Sequence, residues 1–302
     1  MYGRPPRIPD PLHRARHNLP VQSPSDHRHH AENFPVASWL CPARLRPPIL
    51  AIYRFARAAD DVADEGDAPT AARQWQLAQL RSSLRRCAVG APLSPDEQPL
   101  FEPLGVAIRE FNLPTSLLDA LLDAFEQDTR IHRYADRDQL LHYCQRSANP
   151  VGRLLLHLVN VHSPEALRAS DAICTGLQLV NFWQDIRIDR LKGRVYLPET
   201  DLAHHGLTVE SVLLGSPSPA LRACIADLTA WAVELLESGR SLPRQVPGRL
   251  GWELRWVIEG GLRIAEKIRH LEHDTLTHRP RLSAGDAPLL LARALRNRLR
   301  HP

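Results

Sequence analysis

Apolar residues recur every three to four positions along most of the chain, which is the spacing of one face of an α-helix. No stretch sustains the alternation of apolar and polar residues that a half-buried β-strand shows. Ser163 followed by Pro164 is typical of a helix start, because serine can cap exposed N–H groups and proline fits the first turn. The pattern predicts an all-α fold with helices over residues 44–65, 70–88, 115–132, 136–147, 151–161, 164–190, 218–239, 251–275 and 285–300.

Two proline-containing regions refine this prediction. We expect 136–147 and 151–161 to be halves of one long helix, kinked where Pro150 removes a backbone donor. Residues 1–30 are rich in Pro, His and Arg and can bury little apolar surface. The sequence therefore predicts a disordered N-terminal tail over 1–30 and one all-α domain over 31–302.

Composition and charge exclude several classes of protein. The net charge is +4, but the 38 Lys and Arg residues are scattered among acids rather than gathered in a stripe, so no nucleic-acid partner is expected. The five cysteines include no CxxC pair, which argues against a disulfide framework or a structural zinc site. With no apolar run long enough to span a membrane and no signal-peptide pattern, we expect a cytoplasmic protein.

The first candidate for chemistry is the segment AIYRFARAADDVAD over 51–64. On a helix, Tyr53, Arg57 and Asp61 are spaced four apart, and Asp60 and Asp64 have the same spacing. Acids that share a face repel one another unless a cation lies between them. A solvated face with Arg–Asp pairs accounts for this segment as well as a metal site does.

A second segment, GLQLVNFWQDIRID over 176–189, favours the metal site. Its polar residues Gln178, Asn181, Asp185 and Asp189 form one stripe on a helix that is otherwise apolar. Buried carboxylates are costly unless they are paired or bind metal.

Two such helices facing each other would place carboxylates across a cavity. Mg²⁺, with Mn²⁺ as an alternative, prefers carboxylates together with phosphate oxygens and water. Arg57 and Arg194 would complete a clamp around a diphosphate, because guanidinium groups match phosphate geometry. No P-loop or GxGxxG motif is present.

The longest motifs are YRFARAADDVADEGD (53–67) and QLVNFWQDIRIDRLKGRVYLP (178–198). With them, the chain resembles the squalene/phytoene synthase family over roughly residues 32–281. ENFPVAS (32–38) and SANPVGR (147–153) resemble the bacterial hopanoid-pathway branch of that family. The resemblance implies an isoprenoid synthase helical bundle with a central active-site cavity and a prenyl diphosphate substrate.

The resemblance also implies roles for particular residues. Asn33 stands where relatives often carry a serine, and the penultimate helix lacks the tyrosine that relatives often have. The implied metal ligands are Asp60, Asp61, Asp64, Asp185 and Asp189; the diphosphate contacts are Arg57, Asn181 and Arg194; the reaction centre is lined by Tyr53, Tyr143 and Gln178; and Asn33, Phe34 and Asn149 are further substrate-binding residues.

In the hopanoid branch, the implied reaction ionises presqualene diphosphate and adds water to give hydroxysqualene, with no need for NADPH. One alternative is head-to-head condensation of two farnesyl diphosphates to presqualene diphosphate or squalene, or synthesis of phytoene. Another is a non-catalytic assembly relative, against which the presence of every expected aspartate counts. The apolar substrate also implies peripheral contact with the inner membrane, with the Arg-rich segment 285–300 as a candidate, and partner enzymes of the same pathway.

Overall fold

The computed structural model describes residues 41–300, with side chains described as far as residue 296. The predicted tail over 1–30 and the candidate residues Asn33 and Phe34 lie outside this range, and the boundary between tail and domain stays a prediction. Within 41–300 the chain is α-helical and has no β-strand, which confirms the predicted all-α class. The helices are α1 (Arg46–Asp64), α2 (Thr70–Ala88), α3 (Gln98–Phe111), α4 (Thr115–Asp128), α5 (Arg137–Ser147), α6 (Asn149–Leu158), α7 (Pro164–Leu191), α8 (Glu199–His204), α9 (Val209–Leu214), α10 (Pro219–Ser238), α11 (Leu242–Gln245), α12 (Arg249–His270) and α13 (Ala287–Arg300).

The apolar pattern located every long helix except α3. That helix carries Pro99 in its first turn and Pro103 in its interior, where proline removes a hydrogen bond. Tertiary burial outweighs this cost, since Phe101, Leu104 and Ile108 all face the core. The pattern also missed α8, α9 and α11, which have only four to six residues each and are too short to show a period.

The predicted kink at Pro150 is wrong in its position and its kind. The chain leaves helical geometry at Ala148, with φ −120° and ψ −49°, and α5 and α6 are therefore separate helices. Pro150 lies in the first turn of α6, where no backbone donor is needed.

Helix α7 is the centre of the larger of two hydrophobic cores and packs against α5, α6, α10 and α12. The predicted cap is confirmed, because the Ser163 hydroxyl accepts a hydrogen bond from the Ala166 N–H at 3.1 Å. Trp183 is fully buried and donates its indole N–H to the Leu228 carbonyl at 3.0 Å, which fixes α7 against α10.

The second core joins α1 to α2, α3, α4 and α6, and includes Phe55 and Phe101 edge to face with ring centroids 6.1 Å apart. Helices α1 and α7 therefore belong to different cores, and Arg194, which follows α7, links their acidic ends. Among the described helices, none is long and apolar enough to cross a membrane.

Candidate active site

The C-terminal half of α1 carries an arginine surrounded by acids. Arg57 donates from Nη1 to Asp60 Oδ2 at 2.9 Å, and its Nη2 lies 2.6 Å from Asp61 Oδ1 and 3.0 Å from Glu65 Oε1. The helical spacing produces the first two contacts directly, since residues three and four apart are neighbours on the helix surface. One guanidinium thus holds three carboxylates at this end of α1.

The end of α7 is shaped by a left-handed turn at Gly193, where φ is +74°. The Arg194 N–H donates to the Asp189 carbonyl at 2.9 Å, and the Gly193 N–H donates to the Arg190 carbonyl at 3.0 Å. This pair of bonds is the Schellman pattern of helix termination. The next residue, Val195, donates its N–H to the His132 carbonyl at 2.9 Å. These backbone bonds fix Arg194 beside the last turn of α7.

Arg194 connects the two aspartate helices. Its Nη1 lies 2.5 Å from Asp64 Oδ1 on α1, and its Nη2 lies 3.9 Å from Asp189 Oδ1 on α7. Lys192 also pairs with Asp64, through Nζ and Oδ2. Asp64 and Asp189 are therefore brought together around one guanidinium that is only 13% exposed.

Asp185, one turn before Asp189, has a separate partner. Arg279, in the loop after α12, donates from Nη2 to Asp185 Oδ2 at 3.0 Å and from Nε to Oδ1. Neither Lys192 nor Arg279 was among the predicted site residues. Arg279 lies 94 positions from its partner, and helical spacing reveals no such neighbour.

The carboxylates of this cluster differ in their electrostatic environment. Burial raises the pKa of Asp189 to about 7, with Asp185 adding to the rise and Arg194 opposing it. The pKa of the more exposed Asp60 is also raised, by burial and by neighbouring acids. Burial acts in the same direction on Asp64, but its bonds to Arg194 and Lys192 outweigh it and lower the pKa. Asp189 is thus compensated only in part by Arg194.

The donor set determines what this cluster could bind. In the described part of the chain, no three acid, histidine or cysteine side chains converge closely enough to hold one metal ion by themselves. Mg²⁺ does not require such a cage, because it usually takes one or two carboxylates and completes its octahedron with phosphate oxygens and water. Oxygen ligands on two helices, and the undercompensated Asp189, therefore fit Mg²⁺ shared with a phosphate-bearing ligand.

Tyr143 belongs to a cluster of aromatic side chains next to the aspartates. It is buried, and its hydroxyl donates to Asp128 Oδ2 at 2.7 Å. Tyr196 stacks on Phe182 with ring centroids 3.8 Å apart, and on Tyr134 with centroids 5.7 Å apart. The loop that positions Arg194 also places Tyr196, since both belong to the segment that follows Gly193.

Asp128, the last residue of α4, is a site residue that the sequence reasoning missed. Burial raises its pKa to about 7, against the hydrogen bond from Tyr143, and the charges of Asp60 and Asp64 add to the rise. Its Oδ1 is shielded from solvent and has no hydrogen-bond partner among the described residues. The one sequence signal for Asp128 was its position as an acid at the end of an apolar helix. Many surface helices share that feature, so it does not identify a site residue.

The remaining predicted residues lie in different surroundings. Gln178 is half-buried, whereas Asn181 is exposed, so the expectation of a fully buried stripe on α7 is wrong at Asn181. Asn149 is buried in the interface between α6 and α7, where its side-chain oxygen accepts a hydrogen bond from the Thr175 hydroxyl at 2.9 Å. Tyr53 is half-buried and faces a cavity.

This cavity has a volume of about 360 Å³ and is lined by residues of α1, α6, α7, α11 and α12. Gly152 on α6 allows the close approach of α7, because a Cβ at that position would lie 2.6 Å from Cys174 Sγ. Tyr53 and Ala56 connect the cavity to the turn of α1 that bears Arg57 and Asp60. The walls are mostly apolar and include Ile49, Ile52, Val151, Leu155, Leu177 and Leu254.

An α-helical fold in which two carboxylate-bearing helices meet beside an apolar cavity defines the class of isoprenoid synthases. Residues 27–286 match the model of the family described as squalene/phytoene synthase. The chain belongs to the squalene/phytoene synthase family, and the resemblance inferred from its two long motifs is confirmed.

Curated relatives agree with this family. The hydroxysqualene synthase of Rhodopseudomonas palustris is 38% identical over 256 residues, which cover 84% of each chain. That of Sinorhizobium fredii is 36% identical, with 81% of this chain and 80% of the relative covered. The phytoene synthase of Thermus thermophilus is 29% identical and matches 88% of this chain and 89% of its own.

Solved structures agree with the fold. The squalene synthase HpnC from Alicyclobacillus acidocaldarius matches with a TM-score of 0.74 and 36% identity, covering 81% of this chain and 90% of its own. A dehydrosqualene synthase in complex with ligand matches with a TM-score of 0.73 at 21% identity, covering 87% and 90%, and shows the shared fold. The protein is thus an enzyme of the hydroxysqualene and phytoene synthase type, which disfavours the non-catalytic alternative.

Proposed function

We propose that this enzyme ionises presqualene diphosphate and adds water, giving hydroxysqualene and diphosphate. The observation that carries the proposal is the Asp64–Arg194–Asp189 bridge between α1 and α7, which stands beside an apolar cavity. The choice of product is supported by relatives named hydroxysqualene synthase, which are 36–38% identical, whereas those named phytoene synthase are 29–31% identical.

The charged cluster suits a diphosphate leaving group. Arg57, Lys192, Arg194 and Arg279 supply positive charge within it, and guanidinium groups bind phosphate oxygens in pairs. Mg²⁺, or Mn²⁺ in its place, would be held by carboxylates of the set Asp60, Asp61, Asp64, Asp185 and Asp189, and would supply Lewis-acid stabilisation of the charge on the departing diphosphate.

The cavity suits the hydrocarbon part of the substrate. Its apolar walls limit the access of bulk water, which would otherwise trap the carbocation before it rearranges. The ring of Tyr53 borders the same space, and aromatic rings stabilise nearby cations. The product is an alcohol, so the reaction balances with water alone and needs no NADPH.

The proposal extends to where the enzyme acts. An apolar substrate and product favour peripheral contact with a membrane surface and with partner enzymes of the same pathway. The exposed Leu291 and Leu295, beside Arg296 on α13, are the candidate contact, since apolar and basic side chains together suit an anionic lipid surface.

The second candidate is condensation of two prenyl diphosphates, which the similarity to phytoene synthases favours. To separate the two, the purified enzyme is incubated with Mg²⁺ and presqualene, farnesyl or geranylgeranyl diphosphate in turn, and products and released diphosphate are measured. We expect hydroxysqualene and one diphosphate from presqualene diphosphate, whether or not NADPH is added. Consumption of farnesyl or geranylgeranyl diphosphate alone would contradict the proposal.

Metal dependence and the aspartates are tested in the same assay. Chelation should stop turnover, and added Mg²⁺ should restore it. Asp64→Asn and Asp189→Asn should each lower turnover by about a hundredfold or more, as expected when charge stabilisation is lost from the transition state. Asp96→Asn, at an exposed position outside the cluster, is the matched control and should keep wild-type turnover.

A further inference from the structure

Glu253 on α12 is a carboxylate in the wall of the apolar cavity. It is the one acid among the described residues that line this space, and Leu250, Leu254 and Val257 surround it on the same helix. Its Oε2 is shielded from solvent and has no hydrogen-bond partner among the described residues. Ionisation at the aspartate cluster does not involve this group.

Glu253 differs from two buried acids, each of which has a basic partner. Asp286 pairs with Arg263 at 2.8 Å, and Glu259, on the same helix as Glu253, pairs with Arg240 at 2.7 Å. A carboxylate oxygen that is shielded from solvent and has no partner among the described residues costs free energy, and replacement by an apolar residue would remove that cost. The position therefore indicates that this oxygen binds a polar ligand in the cavity.

The cavity itself indicates what that ligand is. It extends along α1 from Ile49 to Ala56, about 10 Å at 1.5 Å per residue, and ends beside Arg57. Its walls are aliphatic apart from Tyr53, Ser170, Cys174 and Glu253. Glu253 is the carboxylate of this set, so it can accept a hydrogen bond from water, and its charge also favours a nearby cation, because electrostatic interactions are strong at low dielectric constant.

We propose that Glu253 holds the water molecule that captures the rearranged carbocation and accepts its proton. The inference rests on the proposed function. The C–O bond to diphosphate breaks first, and diphosphate leaves with the electron pair. The water oxygen then forms a bond to the cationic carbon while one O–H bond breaks, and the proton passes to the Glu253 carboxylate, which later returns it to solvent. No other reactant is needed.

The test follows two quantities in the full-length enzyme with Mg²⁺ and presqualene diphosphate. One is the rate of diphosphate release, and the other is the ratio of hydroxysqualene to hydrocarbon products. In Glu253→Gln, diphosphate release should stay close to the wild-type rate, because ionisation occurs at the aspartate cluster. The ratio should fall about tenfold or more, the size of effect expected when a general base is lost. Glu253→Asp should restore part of it.

Glu272→Gln is the matched control, since Glu272 follows α12 with its side chain 84% exposed and should keep the wild-type ratio. An unchanged ratio in Glu253→Gln, with hydroxysqualene formed by the wild type, would overturn the role of Glu253 alone. Equal losses of diphosphate release and of alcohol would also overturn it, since they would show a structural role. Failure of the wild type to form hydroxysqualene would overturn both proposals.

Discussion

Tyr143 and Asp128 illustrate how single residues sustain the site. Asp128 is held in the interior with its pKa raised to about 7 by burial, and the Tyr143 hydroxyl donates a hydrogen bond to its carboxylate. Tyr143 was predicted to line the reaction centre through family resemblance. Its hydroxyl is directed to a buried acid rather than to open space.

Tyr143→Phe removes this hydrogen bond from the buried acid. We expect the free energy of unfolding to fall by about 1–3 kcal/mol, the usual cost of an unsatisfied buried group. Urea denaturation measures the loss. Tyr134→Phe is a matched control, because Tyr134 is equally buried but only accepts a long 3.4 Å bond from Gln127. Equal losses in the two variants would show that ring packing, and not the hydrogen bond, matters at Tyr143.

Residue spacing predicted the aspartates but not the cations that pair with them. Asp185 and Asp189 share a helix face, and that follows from the sequence alone. Lys192 lies 128 positions from Asp64, and Arg279 lies 94 from Asp185. Contacts of this kind depend on how helices pack, so no local pattern could have revealed them.

At the scale of elements, the turn that ends α7 also positions Arg194. Gly193 adopts a left-handed conformation that directs the chain back, so that Arg194 reaches Asp64. A non-glycine residue is strained in this conformation, although a Cβ at Gly193 would meet nothing within 4 Å.

Gly193→Ala should therefore destabilise the enzyme by about 1–2 kcal/mol, and it should also lower kcat because Arg194 shifts. Gly206→Ala is a matched control, since Gly206 has φ +69° and equally open surroundings but is not followed by a residue of the site. Denaturation curves and steady-state kinetics of both variants separate the two effects. If the two variants lost the same activity, strain alone would account for the loss and Arg194 would not depend on this turn.

The accuracy of element prediction followed helix length. Helices of ten or more residues show a clear period, and all but α3 were located, with ends wrong by a few residues, as for α4 and α12. Pro103 conceals α3, because proline disfavours the interior of a helix while burial of Phe101 supports it. The break at Ala148 depends on packing between α6 and α7, which the sequence does not express.

At the scale of the molecule, the helical spacing of apolar residues predicted the all-α fold, and two long motifs predicted the family. The position of the cavity was not predictable, since its walls come from five helices that are distant in sequence. The site lies where the two cores adjoin, and this arrangement concentrates acids that neither core could accommodate alone. The concentration of acids makes the stability of the folded enzyme depend on pH.

Asp189 has a pKa of about 7 in the folded enzyme, above the ordinary value of 3.8. Between these values the folded state binds more protons than the unfolded state, so the contribution of Asp189 to stability falls as pH rises. The penalty is absent below about pH 4 and complete above about pH 7. Lowered pKa values of His132 and His273 act in the opposite direction, so a comparison with a variant is needed.

Asp189→Asn should therefore gain stability relative to the wild type as pH rises from 4 to 7, in protein freed of divalent cations. The gain is limited to about 1.4 kcal/mol per unit of pKa shift, and urea denaturation at pH 4, 5, 6 and 7 measures it. Asp96→Asn, at an exposed position, should show a difference that does not change with pH. Mg²⁺ with inorganic diphosphate should narrow the gap at pH 7 by stabilising only the wild type, because ligand binding requires ionised carboxylates. A constant difference between Asp189→Asn and wild type would mean that Arg194 already neutralises the carboxylate and that no cation is needed there.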